Sequence, residues 1–161
     1  MSAVEARRTF PLPDWRQCIN ALRLLSPDPR SDRGARAFSL AREGDRLGLH
    51  SAMVADHIVI SVESRSAYPY TLDGKHPIEG DAPETFSILG VVAGATERLR
   101  LVTSVLVLPY RNPVMTAKMA ASLDVLSGGR LTLGVGAGWL KEEFEALNSP
   151  AFTARGAVTD E

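Results

Sequence analysis

Residues 99–136 pack a buried strand, a capped helix and a second strand into one continuous unit, and that unit most constrains the fold. Leu99, Leu101, Val102, Val105, Leu106, Val107 and Leu108 form a near-continuous apolar run, the pattern of a strand covered on both faces. Asn112 and Pro113 follow. The first has the side chain of a helix N-cap, and the second lacks an N–H where none is needed. Val114, Ala117, Ala121 and Val125 recur at helical spacing and predict the buried face of that helix. Gly128-Gly129 supplies a left-handed stop. Leu131, Leu133 and Val135 open the next strand. Strand, crossover helix and strand make a βαβ unit, whose two strands are expected to be parallel.

The flanking sequence extends the pattern. A helix over about 33–46 presents Ala37, Leu40, Ala41 and Gly44 on one face and feeds a strand at about 50–56. Residues 61–80 mix Gly, Pro, Ser and tyrosines without periodicity, which reads as a long loop. Asp81 and Glu84 form a box-like helix start, followed by a stripe of Ile88, Val91, Val92 and Ala95. A last helix over about 139–147 leads into a polar tail interrupted by proline. Near the N-terminus only Thr9–Leu12 offers a strand stub, whereas Trp15, Cys18, Ile19 and Leu22 fall at helical intervals. The expected organisation is therefore an irregular segment over 1–32 with one amphipathic helix, then an α/β domain over 33–161. Strands near 50–57, 100–107 and 130–136 should lie side by side, parallel and in sequence order.

Composition narrows the function classes. A net charge of −1 and a pI near 6.3 give no basic footprint for nucleic acid. Cys18 is the single cysteine, so no intrachain disulfide is expected. There is no signal-peptide pattern and no apolar run of bilayer length, so a cytoplasmic protein without a membrane partner is expected. The 161 residues can hold about half of a (β/α)8 barrel, which typically needs roughly 250.

Several residues could carry chemistry. Asp56-His57 falls where a strand meets the long loop. A histidine there can exchange protons near neutral pH, and a nearby carboxylate can orient it. Neighbours on a regular strand point to opposite faces, so the two cooperate only if the strand ends between them. Thr103-Ser104-Val105 interrupts an apolar strand with two hydroxyls, which fits a plain pleat or a bulge. Gly134, Gly136 and Gly138 alternate at a strand end without the spacing of a dinucleotide fingerprint. They mark either a weakened strand end or a wall that a planar ring approaches closely. Trp139 can contact a ligand or staple the last helix, and Glu142 reads as a solvated helix residue. Tyr68 and Tyr70 can line a pocket or pack on their own loop. Asn112 has a sufficient job as a cap. His50 and His76 have no partners at ligand spacing, so no metal site is expected.

The motifs TSVLVLPYRNP (103–113) and LDVLSGGRLTLGVGAGWLKEEFEAL (123–147), with LGLHSAMVADHIVI (47–60), resemble the luciferase-like monooxygenase superfamily, most closely its coenzyme F420-dependent oxidoreductases. The similarity covers about residues 34–161, and RGAVTDE at the end resembles the lead-in to a further helix. The resemblance implies a TIM (β/α)8-barrel fold, present here as a partial barrel of three to four parallel strands. It implies His57 as a catalytic residue with Asp56 beside it, next to the cofactor. It implies a strand bulge with a cis peptide between Ser104 and Val105. Thr103, Ser104, Val105, Gly136, Gly138 and Trp139 are then the cofactor-binding set. The implied cofactor is F420, with FMN as the alternative, and the implied partner is a small organic substrate. In that family the second half of the barrel holds the cofactor's phosphate. This stretch alone is thus expected to bind cofactor weakly or not at all, and to self-associate, for instance as a homodimer. The alternative is a non-catalytic relative acting as an interaction or structural fragment.

Overall fold

The computed structural model describes residues 18–20, 33–60, 65–75 and 83–161. Its centre is a four-stranded sheet in the order β1-β2-β3-β4, with every neighbouring pair parallel. The strands are β1 (Cys18–Asn20), β2 (Ser51–Val54), β3 (Arg100–Val107) and β4 (Leu131–Gly136). Helices α1 (Arg33–Arg46), α2 (Thr85–Ala95) and α3 (Pro113–Leu126) are the crossovers between them. Sequence order and parallel pairing of the last three strands thus follow the prediction. Parallel neighbours in sequence order, each joined by a helix, are the repeating unit of a (β/α) barrel.

One expectation fails in the N-terminal segment. Cys18–Asn20 is a strand, with Cys18 level with Ser51 and Asn20 level with Met53, where residue spacing predicts a helix. Four residues at helical intervals fit several periods, and the open edge of β2 decides the outcome by offering backbone partners. The proposed stub at Thr9–Leu12 lies outside the described residues, as does Asp81.

The core lies between the sheet and the helices. Ala37 and Ala41 from α1, Phe86, Leu89 and Val92 from α2, and Ala120 and Leu123 from α3 cover Ala52, Val54, Leu101 and Leu106 of the sheet. All three crossover helices differ in part from the predicted stripes, and on α1 it is Leu40 that is 36% exposed. On α2 the fully buried residue is Leu89, while Val91 is 44% exposed. On α3 the predicted face points outward, with Val114 76% and Val125 79% exposed. The buried side is Thr116, Ala120 and Leu123. The sequence of α3 is apolar on both sides, so periodicity alone does not choose. Thr116 can go inside because its hydroxyl donates to Asn112 O at 2.8 Å.

Local chemistry fixes the element ends. Asn112 caps α3, accepting from Met115 N at 3.0 Å, and Gly128 and Gly129 take φ of 69° and 81° beyond its end. Glu84 itself caps α2, accepting from Phe86 N and Ser87 N. Asp45, buried at the end of α1, accepts from Glu97 N, Arg98 N and Leu99 N and so pins the turn that enters β3. After β4 come α4 (Lys141–Ala146) and α5 (Arg155–Asp160), the latter where the sequence reads as a polar tail.

β3 is not regular. Leu101 and Leu106, five residues apart, both join the helix-side core, although a regular strand would aim them at opposite faces. The pairing to β4 shifts between Thr103 and Leu106, which reverses the parity. The Ser104–Val105 peptide at that bulge is cis, as the resemblance implies.

Candidate active site

The C-terminal ends of the parallel strands form one rim, where barrels of this kind carry their chemistry. β2 ends level with Thr103, so the bulge residues Ser104 and Val105 extend past it, and the chain continues from β2 as Ala55-Asp56-His57. Asp56 ties the rim together. Its Oδ2 accepts from Val107 N at 2.9 Å and from Arg111 Nε at 3.0 Å, and Oδ1 accepts from the other arm of the Arg111 guanidinium. Both side chains are buried, Asp56 almost completely. Val107 is in turn level with Gly136 on β4. Asp56 therefore joins the end of β2 to the end of β3 and to the loop before α3. Beside it, burial and the neighbouring Asp56 and Glu143 charges push the Tyr110 hydroxyl far above its ordinary range, so it stays protonated. It donates to Asp56 O at 3.3 Å.

His57 takes a different carboxylate. Its Nδ1 lies 3.0 Å from Oε2 of Glu143, which is 2% exposed on the first turn of α4. The other oxygen of Glu143 accepts from Ile58 N at 2.6 Å and Val59 N at 3.0 Å. One buried carboxylate thus grips three consecutive residues of the loop leaving β2. Sequence reasoning placed the orienting acid at Asp56 and overlooked Glu143. The available signal was an acid pair one turn after Gly138-Trp139, at the rim end of a strand.

Glu142, read as solvated, is also engaged. It accepts from Arg65 N at 2.8 Å, Ser66 N at 3.0 Å and the Ser66 hydroxyl at 2.6 Å. Glu143 and Glu142 of α4 therefore hold residues 57–59 and 65–66 of the chain that leaves β2. Tyr68 packs edge-on to Trp139 with centroids 5.0 Å apart, and Trp139 stands edge-on to His57 at 6.0 Å. Tyr70, 81% exposed, meets the edge of Tyr68 at 5.4 Å.

The Ser66 hydroxyl, followed by the backbone N–H donors, lowers the Glu142 carboxyl from its ordinary 4.5 to about 2. Because the folded value is depressed, the latch contributes fully above about 4.5 and is lost as pH falls through about 2. A carbon-13 titration of the Glu142 carboxyl should have its midpoint near 2, with the Ser66 amide moving in step. A midpoint near the ordinary carboxylate value would mean the latch is open in solution.

The bulge and the glycines fit one another. A Cβ on Gly134 would run into the Thr103 carbonyl oxygen, and one on Gly136 would come within 2.7 Å of Val105 Cγ2. Gly138, at φ 82°, would meet Val107 Cγ1 at 2.8 Å and Phe144 at 2.9 Å. The space beside these glycines is thus taken by β3 and α4, so a larger residue at any of them would push on the bulge, on Val107 or on Phe144. Thr103 is fully buried and its hydroxyl donates to Gly134 O at 2.8 Å. It braces the bulge from inside. Ser104 and Val105 are the exposed residues of the bulge, Val105 by 43%. With glycine at 136, no side chain projects from β4 over Val105. Val105 thus stays open to the rim beside Ser104.

A family model described as luciferase-like monooxygenase matches residues 20–161. An uncharacterised protein of Mycobacterium tuberculosis is 40% identical over 124 residues, covering 76% of this chain and 43% of the relative. An F420-dependent glucose-6-phosphate dehydrogenase of Amycolatopsis mediterranei is 34% identical over 116 residues, 71% of this chain and 29% of its own. Among solved structures, a monooxygenase from Streptomyces bottropensis superimposes with a TM-score of 0.69 at 27% identity, over 88% of this chain and 39% of its own. The chain thus spans about two fifths of the length of the first curated relatives it matches.

Proposed function

The chain belongs to the luciferase-like monooxygenase family, and from that premise we propose that it carries the ring-facing wall of a flavin or deazaflavin site. In this reading hydride passes between coenzyme F420 and a small organic substrate while His57 moves a proton, with reduced FMN and oxygen as the alternative chemistry. The F420-type motif LVLPYRNP (106–113) and the F420-dependent relative favour the deazaflavin. The observation that carries the reading is an exposed apolar bulge at the same rim as an imidazole gripped by a buried carboxylate.

When bound, F420 accepts or donates a hydride at its ring, whereas reduced FMN activates oxygen. The chain's own residues do the rest. Val105 and Gly136 form the flat support, and Trp139 with Tyr68 walls the side facing His57. His57 takes the substrate's proton in one direction and returns it in the other. Asp56 is a positioning residue, since its oxygens are engaged by Arg111 and Val107 N. In (β/α)8 barrels the phosphate of such a cofactor would be held by the loops after strands seven and eight.

A titration with FMN and with F420, carried to about 1 mM (binding worth only about 4 kcal/mol), tests the proposal. The expected result is a weak, saturable change in ring absorbance with one of the two, abolished in Gly136→Val, whose side chain displaces Val105. No spectral change with either cofactor, or unchanged binding in Gly136→Val, would overturn the reading.

A further inference from the structure

We propose that Glu143 sets the tautomer of His57, fixing the proton on Nδ1 and leaving Nε2 as the nitrogen that exchanges protons. The proposal rests on the reading above only for what that exchange serves; the tautomer is a property of the chain itself. Glu143 is held at both ends. Oε1 receives two backbone N–H groups, from Ile58 and Val59, so the carboxylate cannot rotate without leaving two donors unmet. Oε2 is thereby aimed at Nδ1 of His57, 3.0 Å away. A carboxylate only accepts, and a neutral imidazole donates from one nitrogen and accepts at the other. The contact is therefore a hydrogen bond only when Nδ1 carries the proton. Trp139 edge-on to the imidazole and the buried position of the pair limit rotation of the ring away from it.

The geometry makes an unusual prediction for Glu143→Gln. An amide has one accepting oxygen and one donating nitrogen. Keeping both backbone bonds puts the oxygen at the Ile58 and Val59 side, which turns the NH2 toward Nδ1. That nitrogen must then accept, so the imidazole proton moves to Nε2. A residue that merely braced the loop would leave the tautomer where it was.

Nitrogen-15 spectra of histidine-labelled protein read this directly, recorded where the signals are those of a neutral imidazole. The chain has three histidines, and His57→Gln identifies the signals of His57 by their loss. The expected wild-type result is a protonated Nδ1 and a lone-pair Nε2. The two signals should exchange character in Glu143→Gln and stay as in wild type in Glu142→Gln, since Glu142 holds residues 65–66. If Glu143→Gln does not fold, the wild-type spectrum decides alone, supported by Glu143→Asp, which keeps the acceptor and should keep the Nδ1 proton. A wild-type Nε2–H tautomer, an even mixture of the two, or a Glu143→Gln spectrum that still shows Nδ1–H would overturn the proposal. Failure to bind FMN or F420 would strike the functional reading and leave this result standing.

Discussion

Asp56→Ala should lower the stability of the fold by about 3–5 kcal/mol, the cost of stripping one partner from a buried ion pair. The guanidinium of Arg111 is 7% exposed, and without Asp56 its next carboxylate is Glu84 at 3.7 Å, itself part-exposed. The same substitution orphans Val107 N, which Asp56 holds at 2.9 Å. Removing both charges is less damaging than removing one, because the buried cation then disappears too. Asp56→Ala combined with Arg111→Met should therefore recover part of the loss, giving a large coupling in a double-mutant cycle. Urea unfolding midpoints with unchanged slopes provide the measurement. A loss below about 1 kcal/mol, in the range of an exposed pair, would show that the rim is not held this way.

Gly138→Ala is expected to cost about 2–5 kcal/mol, from two separate sources. The left-handed backbone at φ 82° penalises a Cβ by about 1–2 kcal/mol. The new methyl also meets Val107 Cγ1 at 2.8 Å and the Phe144 ring at 2.9 Å, and overpacking of this kind costs about 1–3 kcal/mol more. Gly128→Ala separates the terms. Its φ is 69° but nothing lies within 4 Å of the added atom, so only the first cost applies. Equal losses in the two variants would mean that β3, β4 and α4 do not close on one another at Gly138.

How far the sequence foretells this molecule depends on which interactions are local. Asn112-Pro113 and Gly128-Gly129 act on their own turn, and the structure places the ends of α3 where they predict. The βαβ order follows from apolar runs separated by helix-length segments, and it also holds. What periodicity could not choose was the face of α3, because its apolar residues lie on both sides and the decision belongs to what packs against it. Cys18–Asn20 shows the same limit. Three residues acquire a strand because β2 has an open edge, which no window around Cys18 contains.

The site divides likewise. The family's motifs single out His57, Ser104, Val105 and Trp139 as candidates, and the rim position of His57 follows from the end of an apolar strand. The residues that hold them were not legible. Glu143 lies 86 positions from His57 and Arg111 lies 55 from Asp56, so each pairing exists only once parallel strands bring loop ends together. Glu142 read as solvated because nothing in α4 reveals that Arg65 and Ser66 approach it. Adjacent residues Asp56 and His57 looked like partners, yet each is served by a distant one.

The proposed ring site can be mapped by following backbone amide resonances as FMN or F420 is added. The amides of His57, Ser104–Val107 and Gly136–Trp139 should shift together and saturate together, while those on the outward face of α3, around Val114 and Val125, stay still. Shifts confined to the helical faces, or none at the ends of β2, β3 and β4, would contradict the assignment of this rim as the cofactor-facing surface.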